Sequence, residues 1–412
     1  MSAIYSKSSL LSVTAASVLL LSAGLAGKAQ AADLGGGCCG DLEERVAELE
    51  ATTARKGNRV VSLEISGQVN KALLFFDDGV DSDVFVVDPD SDGTRVRFTG
   101  KAQLKPGWTA GYTLEFNFVD SASNAVSQND DEGNSNNISI RRNFWYVESE
   151  RLGRLSLGQE NQATDGINEI DVVGTYTSVS KSAYAAAFKI RAGGGAGLGD
   201  SALTWGDVQG AIGGGQEDIV KYDTPSIYGF IASASWGDND IWDVALRFQK
   251  EFNSVKIAAG IGYLQDQRAD GQTKTDSQLS GSISAMHVPT GIFATFAAGS
   301  RDQRFSDEDA TNWYVKGGIS RKWNAYGATT LFADYAHFEG FSQDSEFGAA
   351  KEFSLTSSAA EVWGFGVVQG IDAAAMNVYA IAQFFSADLE ANGTKLDTED
   401  HVAIVVGSHI KF

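Results

Sequence analysis

The chain has 412 residues, of which 43% are hydrophobic and 21% are charged, and its formal net charge is −21. The acidic excess argues against a nucleic-acid partner, which needs a basic surface. After the N-terminus, no apolar run reaches the roughly 18–20 residues of a membrane-spanning helix. The 46 glycines and only 4 prolines are typical of a long β structure with glycine-rich turns.

The first 31 residues have the three parts of a secretion signal. Lys7 precedes an apolar stretch over residues 10–25, and residues 29–31 form an Ala-Gln-Ala cleavage site. We therefore predict a signal peptide over 1–31 that is cleaved after Ala31, and an exported mature chain.

Residues 32–59 are predicted to form a periplasmic N-terminal helix or linker. Four residues in this segment follow the 4-3-4 spacing of a coiled-coil seam: Leu42, Val46, Leu49 and Thr53. Two heptads are too short to be stable alone. A coiled coil held together by a trimer and a solvated, frayed helix therefore both remain open. Cys38 and Cys39 either cross-link chains in an oxidising compartment or form an unreactive pair.

From residue 60 onward the apolar pattern has a period of two, which indicates strands with one apolar and one polar face. Three segments show it most clearly: Trp108 to Phe118, Trp242 to Phe252, and Trp313 to Trp323. Each opens and closes with an aromatic residue ten positions apart, which is roughly 34 Å of strand. With a tilt of about 40°, this matches the apolar band of about 25 Å in an outer-membrane barrel. These six aromatic residues are our candidates for the membrane girdle.

Counting such segments predicts an all-β fold, a 16-stranded antiparallel transmembrane β-barrel over residues 60–412. Short turns alternate with long acidic loops, as in up-and-down barrels. The segment 77–93 is one of these long loops, and the longest connection, 160–216, follows the fifth strand. The predicted strands are 61–76, 94–104, 108–119, 137–150, 153–159, 217–223, 228–236, 241–252, 255–264, 278–287, 291–300, 312–323, 328–338, 360–369, 375–386 and 400–412.

Strand alternation also predicts which charged side chains face the lumen. Apolar residues that face lipid place their sequence neighbours inside. The residues predicted to face lipid are Val96, Phe98, Ile138, Ile140, Phe144, Tyr146, Leu155 and Leu157. The residues predicted to face the lumen are therefore Arg95, Arg97, Arg141, Asn143 and Arg154.

Four segments in order resemble the general bacterial porins, in particular an alphaproteobacterial type. Residues 95–118 resemble the second porin hairpin, and 152–159 resemble the strand that leads into the third loop. Residues 221–230 resemble the strand and turn that follow that loop. The C-terminus fits the G-x-x-apolar-x-Phe assembly signal of outer-membrane barrels through Gly407, Ile410 and Phe412.

The resemblance implies that the long third loop folds into the lumen and narrows it. Carboxylates of this loop would then face arginines of the wall. The transverse field between them would orient passing dipoles and keep the narrow part hydrated. The candidate wall residues are Arg95, Arg97, Arg141 and Arg154. The candidate loop residues are Glu160, Asp165, Glu169 and Asp171.

The function implied is passive diffusion of small hydrophilic solutes and ions through a water-filled channel in the bacterial outer membrane. The implied partners are two further copies in a homotrimer, outer-membrane lipid and lipopolysaccharide, the barrel-assembly machinery, and peptidoglycan for the N-terminal segment. No cofactor, metal or catalytic activity is expected, since the four histidines show no metal-ligand spacing. A substrate-specific channel and an envelope-anchoring barrel remain the alternatives. The acidic composition predicts a mild preference for cations.

Overall fold

The computed structural model describes residues 60–412 except 134–136, 194–202, 238–239, 269–274, 305, 307, 342–354 and 392. The predicted signal peptide and the predicted segment 32–59 lie outside the described residues. None of the helices in the described part is long and apolar enough to cross a membrane.

The described residues form eighteen strands in one sheet, and every pairing between neighbouring strands is antiparallel. The strands are β1 Glu64–Asp77, β2 Ser82–Val87, β3 Arg95–Lys105, β4 Trp108–Val119, β5 Asn137–Ser149, β6 Gly153–Asn161, β7 Gln216–Asp223, β8 Phe230–Gly237, β9 Ile241–Phe252, β10 Val255–Asp266, β11 Thr275–His287, β12 Ile292–Gln303, β13 Ala310–Arg321, β14 Thr329–Glu339, β15 Leu355–Ile371, β16 Met376–Ala391, β17 Thr394–Leu396 and β18 His401–Lys411.

Pairing between β1 and β18 closes the sheet into a barrel. The two short strands, β2 and β17, each share one position around the barrel with the strand that follows them. β2 and β3 both pair with β1, over Ala72–Asp77 and Glu64–Gln68 respectively. β17 and β18 likewise both pair with β16. We call each crossing position of the barrel a stave, so the eighteen strands make sixteen staves, and the predicted 16-stranded barrel is confirmed.

Alternation of the two faces follows the predicted pattern along most staves. On β9, Trp242 is 37% exposed on the outer face, whereas the next residue, Asp243, is fully buried inside the barrel. On β13, Val315 is exposed and Lys316 is buried. An apolar outer face and a polar inner face are therefore both present, as a barrel with lipid outside and water inside requires.

A β-bulge in β5 changes this alternation. Glu115 pairs with Arg142, but the next residue of β4, Phe116, pairs with Ile140, so Arg141 is the extra residue. One extra residue inverts every side chain beyond it. The prediction that Asn143 faces inward and that Phe144 and Tyr146 face outward is therefore wrong, because Phe144 is buried and its neighbour Trp145 is 46% exposed.

The segment 77–93, predicted to be a loop throughout, contains strand β2. Its residues alternate between exposed Val84 and Val86 and buried Phe85 and Val87, and they pair along the outer end of β1. The described helices are all short. They are the 3-10 helices Asp90–Asp92, Ile167–Glu169, Lys181–Tyr184 and Asp372–Ala374 and the α-helix Trp205–Val208.

We call the long connection between β6 and β7 the third loop (residues 162–215), and its described part lies inside the barrel. Many of its apolar side chains are buried, including Phe188 at 0% and Trp205 at 1% exposure. They pack against inward-facing apolar residues of the wall, such as Leu74 on β1, Phe385 on β16 and Val405 on β18, in one hydrophobic cluster. The described part of the loop is thus fixed against one side of the barrel, and this leaves the opposite wall facing the lumen.

Candidate functional site

A cluster of arginines lines the wall opposite the third loop. Arg97 on β3 lies directly across from Glu115 on β4, and its Nε lies 2.5 Å from Glu115 Oε2. Arg141 Nε lies 3.0 Å and Arg95 Nη1 lies 3.6 Å from Glu115 Oε1. The Glu115 side chain is fully buried, so this one carboxylate holds three guanidinium groups in place.

The bulge in β5 adds a further arginine to this cluster. Arg142 is the cross-strand partner of Glu115, so two consecutive residues, Arg141 and Arg142, are both placed beside Glu115. Arg142 Nε donates to Asn161 Oδ1 at 3.1 Å. Farther along the barrel wall, the guanidinium group of Arg247 on β9 donates a hydrogen bond to the Asp165 backbone carbonyl at 2.7 Å. The wall therefore presents a concentrated positive surface in front of the start of the third loop.

The first part of the third loop is attached to the inner wall by a series of hydrogen bonds. Thr164 donates its backbone N–H and its hydroxyl to Asp243 of β9, at 2.6 and 2.7 Å. Further along, the Ile170 and Val172 N–H groups donate to the hydroxyls of Ser282 and Ser284 on β11, at 3.3 and 3.2 Å. The loop therefore crosses the barrel at a defined height.

An ion pair buried between the loop and the wall continues this attachment. Lys316 Nζ on β13 donates to Asp171 Oδ2 and Thr175 Oγ1, both at 2.6 Å, and to the Thr177 carbonyl at 3.1 Å. The Lys316 side chain is only 1% exposed. The charge of Asp171, a predicted constriction residue, is therefore neutralised by the wall residue Lys316, and its carboxylate does not face the lumen.

Tyr176 makes the next contact between the loop and the wall. Its φ of 59° lies in the left-handed region, which is unfavourable for a bulky residue. Its hydroxyl lies 2.8 Å from His409 Nδ1 and accepts a hydrogen bond from Asn377 Nδ2 at 2.8 Å, and its ring stacks on Tyr379 at 4.4 Å. These contacts compensate the backbone strain and fix the loop at β16 and β18.

Two of the predicted loop carboxylates, Asp165 and Glu169, lie on the side of the loop that faces the arginines. Glu169 and Arg141 line the same narrow cavity of about 180 Å³. Burial raises the pKa of Asp165, although Arg141 and Arg142 oppose that shift. The Glu169 side chain is exposed to the lumen, but many protein atoms lie around it. This crowding displaces much of the surrounding solvent, and the desolvation raises the pKa of the Glu169 carboxyl. The arrangement places separated charges of opposite sign across one narrow passage.

Two of the predicted constriction residues lie elsewhere on the wall. Arg154 lies one residue from the start of β6, near the end of the barrel with short turns, where its guanidinium covers the Tyr146 ring at 3.9 Å. Glu160 belongs to β6 and not to the loop, and its Oε1 lies 3.3 Å from Lys221 Nζ and 3.9 Å from Arg154 Nη2. Neither residue lines the cavity that Glu169 and Arg141 share.

Asp90 lines the same cavity as Glu169 and Arg141. Five residues of the site are absent from the sequence-based candidates: Asp90, Glu115, Arg142, Arg247 and Lys316. Arg247 on β9 and Lys316 on β13 alternate with apolar residues that face lipid. The alternation of these strands therefore predicts that both side chains face inward. Arg142 was hidden by the bulge, which no pattern within β5 alone reveals. Asp90 was hidden because residues 77–93 were predicted to be an external loop.

Five of the six predicted girdle residues occupy outward-facing positions on β4, β9 and β13. The exposed fractions are 40% for Phe118, 37% for Trp242, 46% for Phe252, 39% for Trp313 and 51% for Trp323, while Trp108 is partly exposed. Trp323 lies two residues beyond the end of β13, which is shorter than predicted. At the C-terminus, Phe412 is 61% exposed, and its backbone exchanges hydrogen bonds with Gly67 at 2.9 and 3.0 Å. Gly407 and Ile410 lie on β18.

Comparison with known proteins yields one family match. The family model described as Gram-negative porin matches residues 15–389. No curated protein sequence matches the chain.

Solved structures of outer-membrane proteins resemble this fold. The complex of Salmonella typhi OmpF with daunomycin is 14% identical with a TM-score of 0.54, over 86% of this chain and 99% of that one. The anion-selective porin from Comamonas acidovorans is 14% identical with a TM-score of 0.53, over 85% and 100%. In-vitro-folded OmpT of Vibrio cholerae is 14% identical with a TM-score of 0.53, over 87% and 99%. At this identity the likeness supports the fold alone.

Proposed function

The chain belongs to the Gram-negative porin family, and from that premise we propose that it acts as a homotrimer whose channels narrow between the arginine wall and the third loop. As a porin, it is an outer-membrane channel for passive diffusion of small hydrophilic solutes. The proposal concerns the position of the narrow part and the residues that form it. The observation that carries it is the third loop inside the barrel, with Asp165 and Glu169 facing Arg141 and its neighbours.

The arginine wall would act as one side of a transverse field, and the two loop carboxylates as the other. Ions and dipolar solutes are stabilised in such a field, whereas apolar solutes gain nothing from it and must displace ordered water. We propose a mild preference for cations, because the described arginines are partly neutralised by Glu115 and Asp92, whereas Asp165 and Glu169 meet the lumen. We propose no catalytic activity.

The remaining assignments concern the surroundings of the barrel. The outward aromatic residues at both ends of the staves support a girdle at the two lipid interfaces. The C-terminal Gly407, Ile410 and Phe412 would serve as the signal for the barrel-assembly machinery. In-vitro-folded OmpT of Vibrio cholerae also has a solved trimer form, and this supports the homotrimer. Contact with lipopolysaccharide and, through residues 32–59, with peptidoglycan completes the proposal.

Planar-bilayer recording of the purified native protein tests this function. Three equal conductance steps that close in succession are expected for a trimer, with a reversal potential of cation-preferring sign in a salt gradient. A single conductance level would contradict the trimer, and a clear anion preference would contradict the proposed selectivity. Saturable block by one solute at low concentration would favour the substrate-specific alternative, and absence of any conductance would favour an anchoring role.

A further inference from the structure

The second stave of the barrel is interrupted near its middle. β2 ends at Val87 and β3 begins at Arg95, and the residues between them pair with neither β1 nor β4 as strand. The interruption contains Pro89, which has no N–H for a ladder, followed by the 3-10 helix Asp90–Asp92. We call residues 88–94 the inner segment. Because the chain leaves the sheet here, its backbone N–H and C=O groups need hydrogen-bond partners other than the neighbouring strands.

Those contacts hold the base of the inner segment firmly. The buried carboxylate of Asp88 accepts hydrogen bonds from Lys71 Nζ at 2.7 Å, from the Asp120 N–H at 2.8 Å and from Thr94 Oγ1 at 3.3 Å. The backbone N–H of Ser123 donates to the Asp88 carbonyl at 2.9 Å. Charge-assisted hydrogen bonds to a buried carboxylate are among the stronger ones in proteins, so this end of the segment is rigid.

The tip of the inner segment is joined to the third loop. Ser123 Oγ accepts from the Asp90 N–H at 2.9 Å and donates to the Ala183 carbonyl at 2.5 Å. Ser91 Oγ lies 2.7 Å from the Tyr184 hydroxyl. Tyr184 is buried in the hydrophobic cluster between the loop and the wall. The segment and the loop therefore form one continuous inner structure.

The two acidic side chains at the tip have different surroundings. Asp92 forms an ion pair with Arg95 and accepts from Gln68 Nε2 at 2.6 Å, so its charge is largely compensated. The Asp90 carboxylate is exposed to the lumen, and within the described part of the chain it has neither an ion pair nor a hydrogen bond. Asp90 and Arg141 together line two adjoining cavities of about 100 and 180 Å³, and Glu169 lines the larger one.

We propose that the inner segment is a second constriction element and that the carboxylate of Asp90 is a specificity-determining residue for small inorganic and organic cations. The proposal deepens the proposed function and rests on its location of the narrow part. A cation that enters the passage would meet two carboxylates from different segments, Asp90 and Glu169, with Arg141 beside them. Because hydrogen bonds fix the backbone at Asp90, the charge stays in place as ions pass, which is the condition for an electrostatic filter.

The test measures the ratio of potassium to chloride permeability from reversal potentials in a potassium chloride gradient. Asp90→Asn keeps the size of the side chain and removes its charge, and we expect the ratio to fall about twofold or more. Asp83→Asn is the matched control, since Asp83 is an exposed residue of β2 in the same stave. The control should leave the ratio close to that of the native protein.

A second variant keeps the test decisive if Asp90→Asn folds poorly. Asp90→Cys, treated with a cationic or an anionic thiol reagent, should shift the ratio in opposite directions, with the reagent-treated native protein as control for Cys38 and Cys39. If both Asp90 variants keep the native ratio while Glu169→Gln lowers it, the second constriction element is wrong and the location of the narrow part stands. If none of these variants, Glu169→Gln included, changes the ratio of a conducting channel, the narrow part itself lies elsewhere.

Discussion

The attachment of the third loop by Lys316 yields a prediction that the structure makes quantitative. Among the described residues, two lysine–aspartate pairs have the same Nζ–Oδ2 distance of 2.6 Å. In the pair of Lys316 with Asp171 the side chains are 1% and 13% exposed, and in the pair of Lys322 with Asp372 they are 66% and 60% exposed. The two ion pairs therefore have the same interatomic distance and differ in how deeply they are buried.

Replacement of the lysine by methionine should separate the two cases. Lys316→Met leaves the Asp171 carboxylate without its buried cation, and the loss of one partner of a buried ion pair costs about 3–5 kcal/mol. Lys322→Met removes an exposed ion pair, which contributes about 0–1 kcal/mol. The double variant Lys316→Met with Asp171→Asn should recover part of the loss, because no unpaired charge remains.

Urea-induced unfolding of the detergent-solubilised barrel, followed by tryptophan fluorescence, measures these free energies of unfolding. Single-channel recording adds a second readout, since a loosened third loop should produce current fluctuations in Lys316→Met and not in Lys322→Met. Equal losses of stability in the two single variants, or no recovery in the double variant, would show that Lys316 does not act as a buried anchor of the loop.

Three further predictions concern the charges and the buried polar groups of the lumen. Because burial raises the pKa values of Asp165 and Glu169, both carboxyls lose their charge at a higher pH than ordinary carboxyls, whose pKa values lie near about 4, so the cation preference should begin to fall above about pH 4 as the pH is lowered; a variant with Asp165→Asn and Glu169→Gln should show a flatter profile, and an equally steep one would contradict the assignment. Glu115→Gln leaves the guanidinium groups of Arg95, Arg97 and Arg141 without their shared counter-ion, so reversal potentials should shift toward anions and the unfolding free energy should fall by about 3–5 kcal/mol. His401 lies among Phe76, Phe188, Trp205 and Phe385, and neither ring nitrogen has a hydrogen-bond partner in the described residues, so His401→Phe should raise the unfolding free energy by about 1–3 kcal/mol, and a loss of stability would indicate a missed polar contact.

The sequence predicted the barrel well because each stave repeats the same physical constraint. On β9, exposed Trp242 and buried Asp243 alternate as expected, since lipid and water act on every residue of that strand. It predicted the site less well, because the site depends on two irregularities. The bulge that places Arg141 and Arg142 together is set by the register against β4, and the interruption that exposes Asp90 depends on contacts with the third loop.

The carboxylates of the third loop face two different sides, which the sequence pattern does not predict. Asp165 and Glu169 face the arginines, whereas Asp171 binds Lys316 on the other side. An irregular segment has no fixed period, so no rule based on spacing separates its two faces. Only the positions of the wall groups decide which carboxylate is neutralised and which one meets the lumen.

One signal for the position of the loop was nevertheless present in the strands. On β1, Leu73 and Phe75 face outward and are exposed, yet the intervening Leu74 and the following Phe76 are also apolar and are buried inside. A stave that is apolar on both faces cannot border water on either side. Such a stave must be covered from within, and on this basis the third loop belongs against β1 and its neighbours.

The same reasoning divides the interior of the barrel into two sectors. The staves from β12 through β18 to β1 contribute apolar side chains to the cluster that covers the loop. The staves from β3 to β9 instead carry the charged groups of the arginine cluster, among them Arg97, Glu115 and Arg247. Since water-filled space is favoured along the second sector, we expect the channel to run beside the arginines, and the proposed narrow part would then be where the loop and the inner segment approach that wall.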